Sequence, residues 1–361
     1  MYTLNDIAIL YLDSLGVSYK TIKNVLEMLP EPCDIFAKKY RQKLEEILPN
    51  NSIERIENLG QENLEKLLTK DLEKYNILAV TICSNLYPKN LKNIGDPPFV
   101  LYTIGDTNLL KSQCIGIVGT RTPTNYGRDV ANKFTKDLVA AGLTTVSGLS
   151  YGIDTCAAVT TLENRGKHIA VLAGGLDSIY PAQNIDLSRK ISEHGLLVSE
   201  YRPHIKPRQY SFIARNRIIS GLSDGTLVVE AGKKSGATST AMFCVEQGRE
   251  LFVIPGNITS PQSSGTNELI NEMPDCFTID VKQILNRLNV SEPKSKAKQQ
   301  PMQLDMQSQQ IVDILANGEM HFDEICARVN QPASTVASSL TMLEIMGVVK
   351  KLAGNFYQLV F

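Results

Sequence analysis

Five short apolar runs in the middle of this chain each end in a glycine or a carboxylate. They are IGIVG closing at Gly119, TVSG at Gly148, AVLAGG at Gly175, VSE at Glu200 and LVVE at Glu230. Each is β-branched, too short for a helix, and followed by a longer segment with helical spacing. Runs that are apolar throughout, without alternation, suit strands buried on both faces, as in a parallel sheet with helices packed on it. ILAVTI and FVLYTIG precede the five and ELFVIPG follows them, so the pattern extends from residue 77 to about 280. The expected class is α/β, an extended Rossmann-like, doubly wound, mostly parallel sheet. Helices are expected near 128–141, 154–164, 187–194 and 238–247. All five run ends then lie on the carboxyl edge of the sheet, where ligands bind. Glycine lets a backbone approach a ligand closely. One such glycine makes only a tight turn, but five on one edge point to a binding crevice.

The flanks read differently. Residues 1–75 are helical: in TIKNVLEML the apolar positions Ile22, Val25, Leu26 and Leu29 follow i, i+3, i+4, i+7. The tandem short helices suggest a helix-hairpin-helix or SAM-like module. Only Gly16 is available there for close phosphate approach, so a packing role is favoured over nucleic-acid binding. Residues 291–307, SEPKSKAKQQPMQLDMQ, have the composition of a flexible linker. From 308 to 361 three short helices and a hairpin, VVKKLAGNFYQLV, make a winged-helix plan. The expected domains are therefore 1–75, 76–290 and 308–361, consistent with about two to three for 361 residues.

Composition excludes several classes. The seven cysteines have no CxxC pair and the four histidines no HxxxH or HExxH, so neither a disulfide frame nor a metal site is expected. No run reaches the roughly 20 apolar residues of a membrane helix, and a cytoplasmic protein without a membrane partner is expected. Net charge is −1, but residues 76–290 carry 21 basic against 18 acidic groups, while residues 301–361 carry 3 against 6. The positive excess lies with the sheet. The expected recognition helix of the tail, ASTVASSLTMLEIMG, has no Lys or Arg. Phosphate attraction dominates non-specific binding, so the tail is expected to bind little duplex and to contact protein.

Three loops on the sheet edge have anion-binding chemistry. GTRTPTNYG, from Gly119 to Gly127, lacks the lysine of a nucleotide-hydrolysing loop. It offers Thr120 and Arg121 just before a helix start. AGKKSGATST, from Ala231 to Thr240, offers Lys233, Lys234 and Ser235 at a second helix start. The segment EYRPHIKPRQYSFIARNR, residues 200–217, interleaves Arg202, Lys206, Arg208, Arg215 and Arg217 with Tyr201, Tyr210 and Phe212. Cations among aromatics suit a single strand, whose bases stack while its phosphates pair. On a helix, Arg215 shares a face with Ile218, Ile219 and Leu222, and so is expected to point into the crevice and hold a phosphate. Arg217 faces the other way, towards a rim contact or a scaffold ion pair. Asp154 and Glu230 could act as an acid/base pair, or cap helices and hold arginines; the second is favoured.

The motifs IGIVGTRTPTNYG, VSGLSYGID, AVLAGGLDSIYP, LLVSEY, FIARNRIISGLSDGTLVVEAGKKSGATSTA, VEQGRELFVIPGN and SPQSSGTNELI occur in this order over about residues 75–280. In that they resemble the DNA-processing protein A (DprA/Smf) family of natural transformation. The resemblance implies binding of single-stranded DNA in a positive pocket, homodimerisation through the sheet domain, and loading of a RecA-type recombinase. It implies no enzymatic turnover and no cofactor. It carries Arg121 over from the GTR loop, Arg215, Asn216 and Arg217 from RNR, and Ser235, Gly236 and Thr240 from the last loop. With the edge glycines Gly119, Gly148 and Gly152 and with Thr120, Lys206, Lys233 and Lys234, these form the expected DNA-contacting set. Arg121→Ala and Arg215→Ala are both expected to weaken binding with the fold unchanged. Two positions depart from the family: Ala158 replaces a usual histidine, and Ile213 and Ala214 replace a usual proline before the arginines. The alternative is a phosphoribohydrolase-like nucleotide enzyme. It would need a PGGxGT loop followed by a glutamate, and EAGKKSGATST lacks that glutamate.

Overall fold

The computed structural model describes residues 2–49, 51–291, 304–316 and 318–359. Most of the expected linker lies outside the described residues. The described chain falls into two compact units, one holding the front helices and the sheet, the other the tail.

The first unit begins with α1 (Leu4–Ser14), α2 (Tyr19–Met28), α3 (Arg41–Ile47) and α4 (Ser52–Lys74). Thr3 and Asp6 close a capping box on α1, which satisfies otherwise free amides at its start. These helices do not stand apart from the sheet, although their periodicity suggested a separate module. Ile9, Leu10 and Leu72 share one buried cluster with Tyr102 and Leu197 of the sheet. Buried polar contacts fix the junction. The Tyr102 hydroxyl donates to Asp13 Oδ2 at 2.7 Å, and the Thr81 hydroxyl donates to Asp6. Burial pushes the Asp13 carboxyl up, partly offset by the Tyr102 bond. Sequence periodicity identifies these helices but cannot reveal that their apolar stripe docks on an edge strand.

Strands β1 (Leu78–Thr81), β2 (Val100–Gly105), β3 (Cys114–Val118), β4 (Thr144–Ser147), β5 (His168–Leu172), β6 (Leu196–Ser199), β7 (Gly225–Val228) and β8 (Glu250–Val253) form one sheet. Its order is β1-β2-β6-β5-β4-β3-β7-β8. β3 to β8 are mutually parallel, and β1 and β2 add an antiparallel edge. The strand order reverses at β3, which pairs with β4 on one side and β7 on the other. A doubly wound sheet opens a crevice at such a point. The connecting helices are α5 (Lys89–Lys92), α6 (Asn125–Ala140), α7 (Ile153–Glu163), α8 (Ile185–His194), α9 (Gln209–Leu222), α10 (Gly236–Glu246), α11 (Ser264–Glu272) and α12 (Val281–Arg287). Apolar clusters on both faces of the sheet, one on one face and two on the other, hold these layers together.

His168 lies fully buried at the start of β5. Thr145 Oγ1 sits 2.7 Å from its Nδ1 and Ser147 Oγ 3.2 Å from its Nε2. Burial pulls its pKa down to about 3. The unfolded chain therefore takes up this proton below about pH 6.5 while the folded chain does not. The stability is fully present above that pH and is lost as pH falls towards 3. The slope is about 1.4 kcal/mol per pH unit, and so about 2 kcal/mol by pH 5. Urea denaturation at pH 7 and pH 5 should show a loss larger by that amount in the natural chain than in His168→Gln. The buried Asp154, whose carboxyl burial pushes up, contributes with the opposite sign in both chains.

The second unit contains α13 (Met306–Leu315), α14 (Phe322–Val329) and α15 (Ala333–Ile345), with β9 (Met320–His321), β10 (Val349–Lys351) and β11 (Phe356–Leu359). The three strands pair antiparallel in the order β10-β11-β9, which is the winged-helix plan. α13 begins two residues inside the expected linker because the Asp305 side chain accepts from Ser308 N at 2.7 Å and caps it. An Asp three residues before Ser308 was a readable start signal.

Candidate nucleic-acid interface

The carboxyl end of β3 and the loop that follows β7 bound a cleft of about 890 Å3 at the strand-order reversal. Gly119, Thr120 and Arg121 form one side and α9 another. Lys233 to Ala237 and the start of α10 close a third.

Arg121 is exposed at the mouth. Its guanidinium carbon lies 5.7 Å from the centre of the Phe212 ring, within cation–π range. Phe212 in turn meets Tyr180 edge to face, with ring centres 5.4 Å apart and planes at 65°. Tyr180 is half exposed. A cation and two aromatic rings thus stand together at the opening. The loop beneath them is fixed by Gln262, which accepts from the Thr120 hydroxyl at 3.1 Å and donates to the Thr122 hydroxyl at 3.3 Å. Tyr180 and Gln262 were missed by sequence reasoning. Both lie in quoted family motifs, LDSIYP and SPQSSG, but no local chemistry marks them.

The two helix starts differ in what they can hold. At α6 an internal anion is already in place. The Glu230 carboxylate, 1% exposed, accepts from Thr124 N at 2.9 Å and from the Thr124 hydroxyl at 2.5 Å. It satisfies the dipole that the sequence offered to a phosphate. Among the described residues no carboxylate intrudes at the start of α10. Ser235 caps the helix by accepting from Ala237 N, and exposed Lys233 and Lys234 precede it. Lys233 pairs weakly with Glu268, at 3.6 Å on the surface. Gly236 is exposed on the cleft, and Thr240 is buried behind it.

The RNR triplet is built inward. Arg215 reaches the cleft wall but is only 3% exposed. Its Nη1 donates to the carbonyls of Gly148 and Val171, and its Nε donates to Asn216 Oδ1 at 3.2 Å. Burial pulls its pKa down to about 10, opposed by Asp154, so it stays charged at neutral pH. The guanidinium therefore joins the ends of β4 and β5. Asn216 donates to the carbonyl of Gly236 at 3.1 Å and ties α9 to α10. Arg217 lies outside the cleft lining. Its Nη2 pairs with Glu200 at 2.7 Å and its Nε with Asp96 at 2.8 Å. It is a scaffold ion pair, one of the two roles its helix face allowed.

Two edge glycines also serve internal packing. Gly148 faces the Arg215 guanidinium, which a Cβ would displace. Gly152 has φ +77°, and a Cβ there would strike the backbone of Thr120 and Arg121. Neither lines the cleft. Lys206 is exposed on the loop 202–208 and also lies outside the lining, although its neighbour Pro207 is part of it. His204 anchors that loop by donating its backbone N–H to Asp177 at 2.9 Å.

Both candidate carboxylates accept from backbone amides, and of the two only Asp154 lines the cleft. Asp154 accepts from the amides of Gly148 at 3.0 Å and Ser150 at 3.2 Å. Burial pushes its carboxyl up, opposed by Arg215. Glu230 is spent on Thr124. Among the described residues no cluster of His, Cys, Asp or Glu could hold a metal ion, and no helix is long and apolar enough to cross a membrane.

The family model described as DNA recombination-mediator protein A matches residues 78–289. The model for a DprA winged helix domain matches residues 295–355. The DNA processing protein DprA of Bacillus subtilis is 45% identical over 197 residues, which are 54% of this chain and 66% of that protein. Protein Smf of Escherichia coli is 35% identical, covering 80% of this chain and 79% of its own length. Among solved structures, DNA processing protein A from Streptococcus pneumoniae superposes with a TM-score of 0.62 at 32% identity. That alignment covers 79% of this chain and 98% of that one. A structure from Helicobacter pylori, described as giving insight into the single-stranded DNA binding mode of its DNA processing protein A, superposes with a TM-score of 0.54 at 33% identity. It covers 59% of this chain and 95% of that one.

Proposed function

The chain belongs to the DNA recombination-mediator protein A family, and on that premise we propose that its cleft binds single-stranded DNA without turning it over. The observation that carries this reading is the arrangement of Arg121 over Phe212 and Phe212 against Tyr180. Bases stack on such rings regardless of sequence, and a nearby guanidinium takes a phosphate. Lys233, Lys234 and the open start of α10 offer a second phosphate position across the cleft. A duplex hides its base faces, so the rings favour single strands. The solved Helicobacter pylori relative supports the same ligand class.

Protection of incoming strands, delivery to a RecA-type recombinase, homodimerisation through the sheet-bearing unit, and a place in natural transformation in the cytoplasm complete the proposal. They rest on family membership. A nucleotide-cleaving reading is less well supported, because Asp154 at the cleft is already bound by backbone amides and Glu230, outside the lining, is bound by Thr124.

A titration of single-stranded and duplex oligonucleotides from low to physiological salt tests this proposal. Single strands should bind more tightly throughout. The slope of log K against log salt should fall by about 0.7 for each phosphate contact removed. Equal affinity for duplex, or release of free base from bound nucleotide, would contradict it.

A further inference from the structure

The tail unit carries a helix face that its own fold leaves uncovered. α15 buries Val336, Leu340 and Leu343. The opposite line of the helix is Ser334, Ser338, Thr341 and Ile345, flanked by Ala337 and Met342, all exposed. Ile345 is 77% exposed and Met342 52%. α15 contains no Lys or Arg, so this face has nothing with which to neutralise phosphates.

We propose that this face pairs with the same face of a second copy, α15 against α15, antiparallel about a two-fold axis between Ser339 and Leu340. A two-fold interface must be complementary to itself, and one register meets that condition along the whole helix. It sets Ile345 opposite Ser334, Met342 opposite Ala337, and Thr341 opposite Ser338, so each larger side chain meets a smaller one. Small residues allow the helix axes to approach to the near end of the usual 8–10 Å. Charge agrees with shape. Pro332, before the first turn, supplies no side-chain cap, which leaves the positive helix end unsatisfied. The register brings the exposed Glu344 of the other copy opposite Thr335, in that first turn. A parallel pairing would instead set Glu344 against Glu344. The surface belongs to the tail unit and is distinct from any pairing of the sheet-bearing units.

Cysteine cross-linking of the full chain tests the register. In antiparallel pairing, position 334 of one copy meets 345 of the other. Like positions are then about 16 Å apart along the axis, at 1.5 Å per residue, beyond the reach of a disulfide. Mildly oxidised mixtures of Ser334→Cys chains with Ile345→Cys chains should form linked dimers several-fold above either chain alone or the natural chain. Adding Met342→Glu to both should remove the excess. All three variant sites are exposed, and unchanged circular dichroism would confirm that the helix is intact. A mixture no better linked than its separate components overturns the proposal, as does linkage of Ser334→Cys chains alone. Either result would leave the face to a different protein or to a different register.

Discussion

Replacing Arg215 with methionine should lower folding stability by about 3–5 kcal/mol. The side chain is 3% exposed and its Nη1 serves two buried carbonyls, Gly148 and Val171. Each buried acceptor left unpaired costs about 1–3 kcal/mol. Asp154 also loses the cation that offsets the burial of its own charge. Methionine fills much of the space but donates nothing. Arg217→Met should cost a similar amount, because it strands Glu200 without its bidentate partner. Asp96 is more than half exposed and contributes little of that. Urea denaturation should show both midpoints far below that of the natural chain, with Arg121→Ala within about 0.5 kcal/mol of it. The expectation that Arg215→Ala spares the fold is thereby corrected: a DNA-binding defect in that variant would report a damaged cleft, not a lost phosphate contact.

Removing the Phe212 ring should weaken single-stranded DNA binding by about 1–3 kcal/mol, the usual worth of one stacked base. That is roughly 5- to 150-fold. Phe212→Tyr keeps the ring and should bind nearly as well. Phe212→Ala also removes the support on which Arg121 and Tyr180 rest, so its loss should exceed that of Tyr180→Ala. The salt slope should change little with Phe212→Ala and more with Lys234→Ala, since only the second removes a charge. Comparable losses and identical slopes for the two would argue against stacking as the role of the ring.

The sheet was legible because its strands are short, β-branched and apolar on both faces, and because they end in glycine or a carboxylate. IGIVG and LVVE read as parallel strands from pattern alone. The edge position of the cleft followed from the parallel order. What each edge residue does was less legible. Gly148 and Gly152 read as ligand-facing, but they make room for Arg215 and for the Thr120–Arg121 backbone. Helix capping was among the favoured roles for Glu230, but which helix was not readable, since its partner Thr124 is 106 residues away. The two arginines of RNR were separated correctly onto different helix faces. Periodicity sets direction only, and it could not show that the inward face ends on two carbonyls. Such long-range polar pairings depend on which strand ends meet. The same limit applies to the front helices, whose docking partner Tyr102 lies in β2.

The most direct test of the central claim is the affinity of Arg121→Ala for single-stranded DNA, measured with its unfolding midpoint in the same buffer. Arg121 is exposed, lies at the mouth beside Phe212 and forms no salt bridge among the described residues, acting on Asp154 only as the smallest of several influences. Its loss should therefore cost binding without costing stability. The expected result is an affinity at least tenfold weaker, about 1.4 kcal/mol, a shallower salt dependence and an unchanged midpoint. Natural affinity in a fully folded Arg121→Ala chain would contradict it and place the strand elsewhere on the molecule.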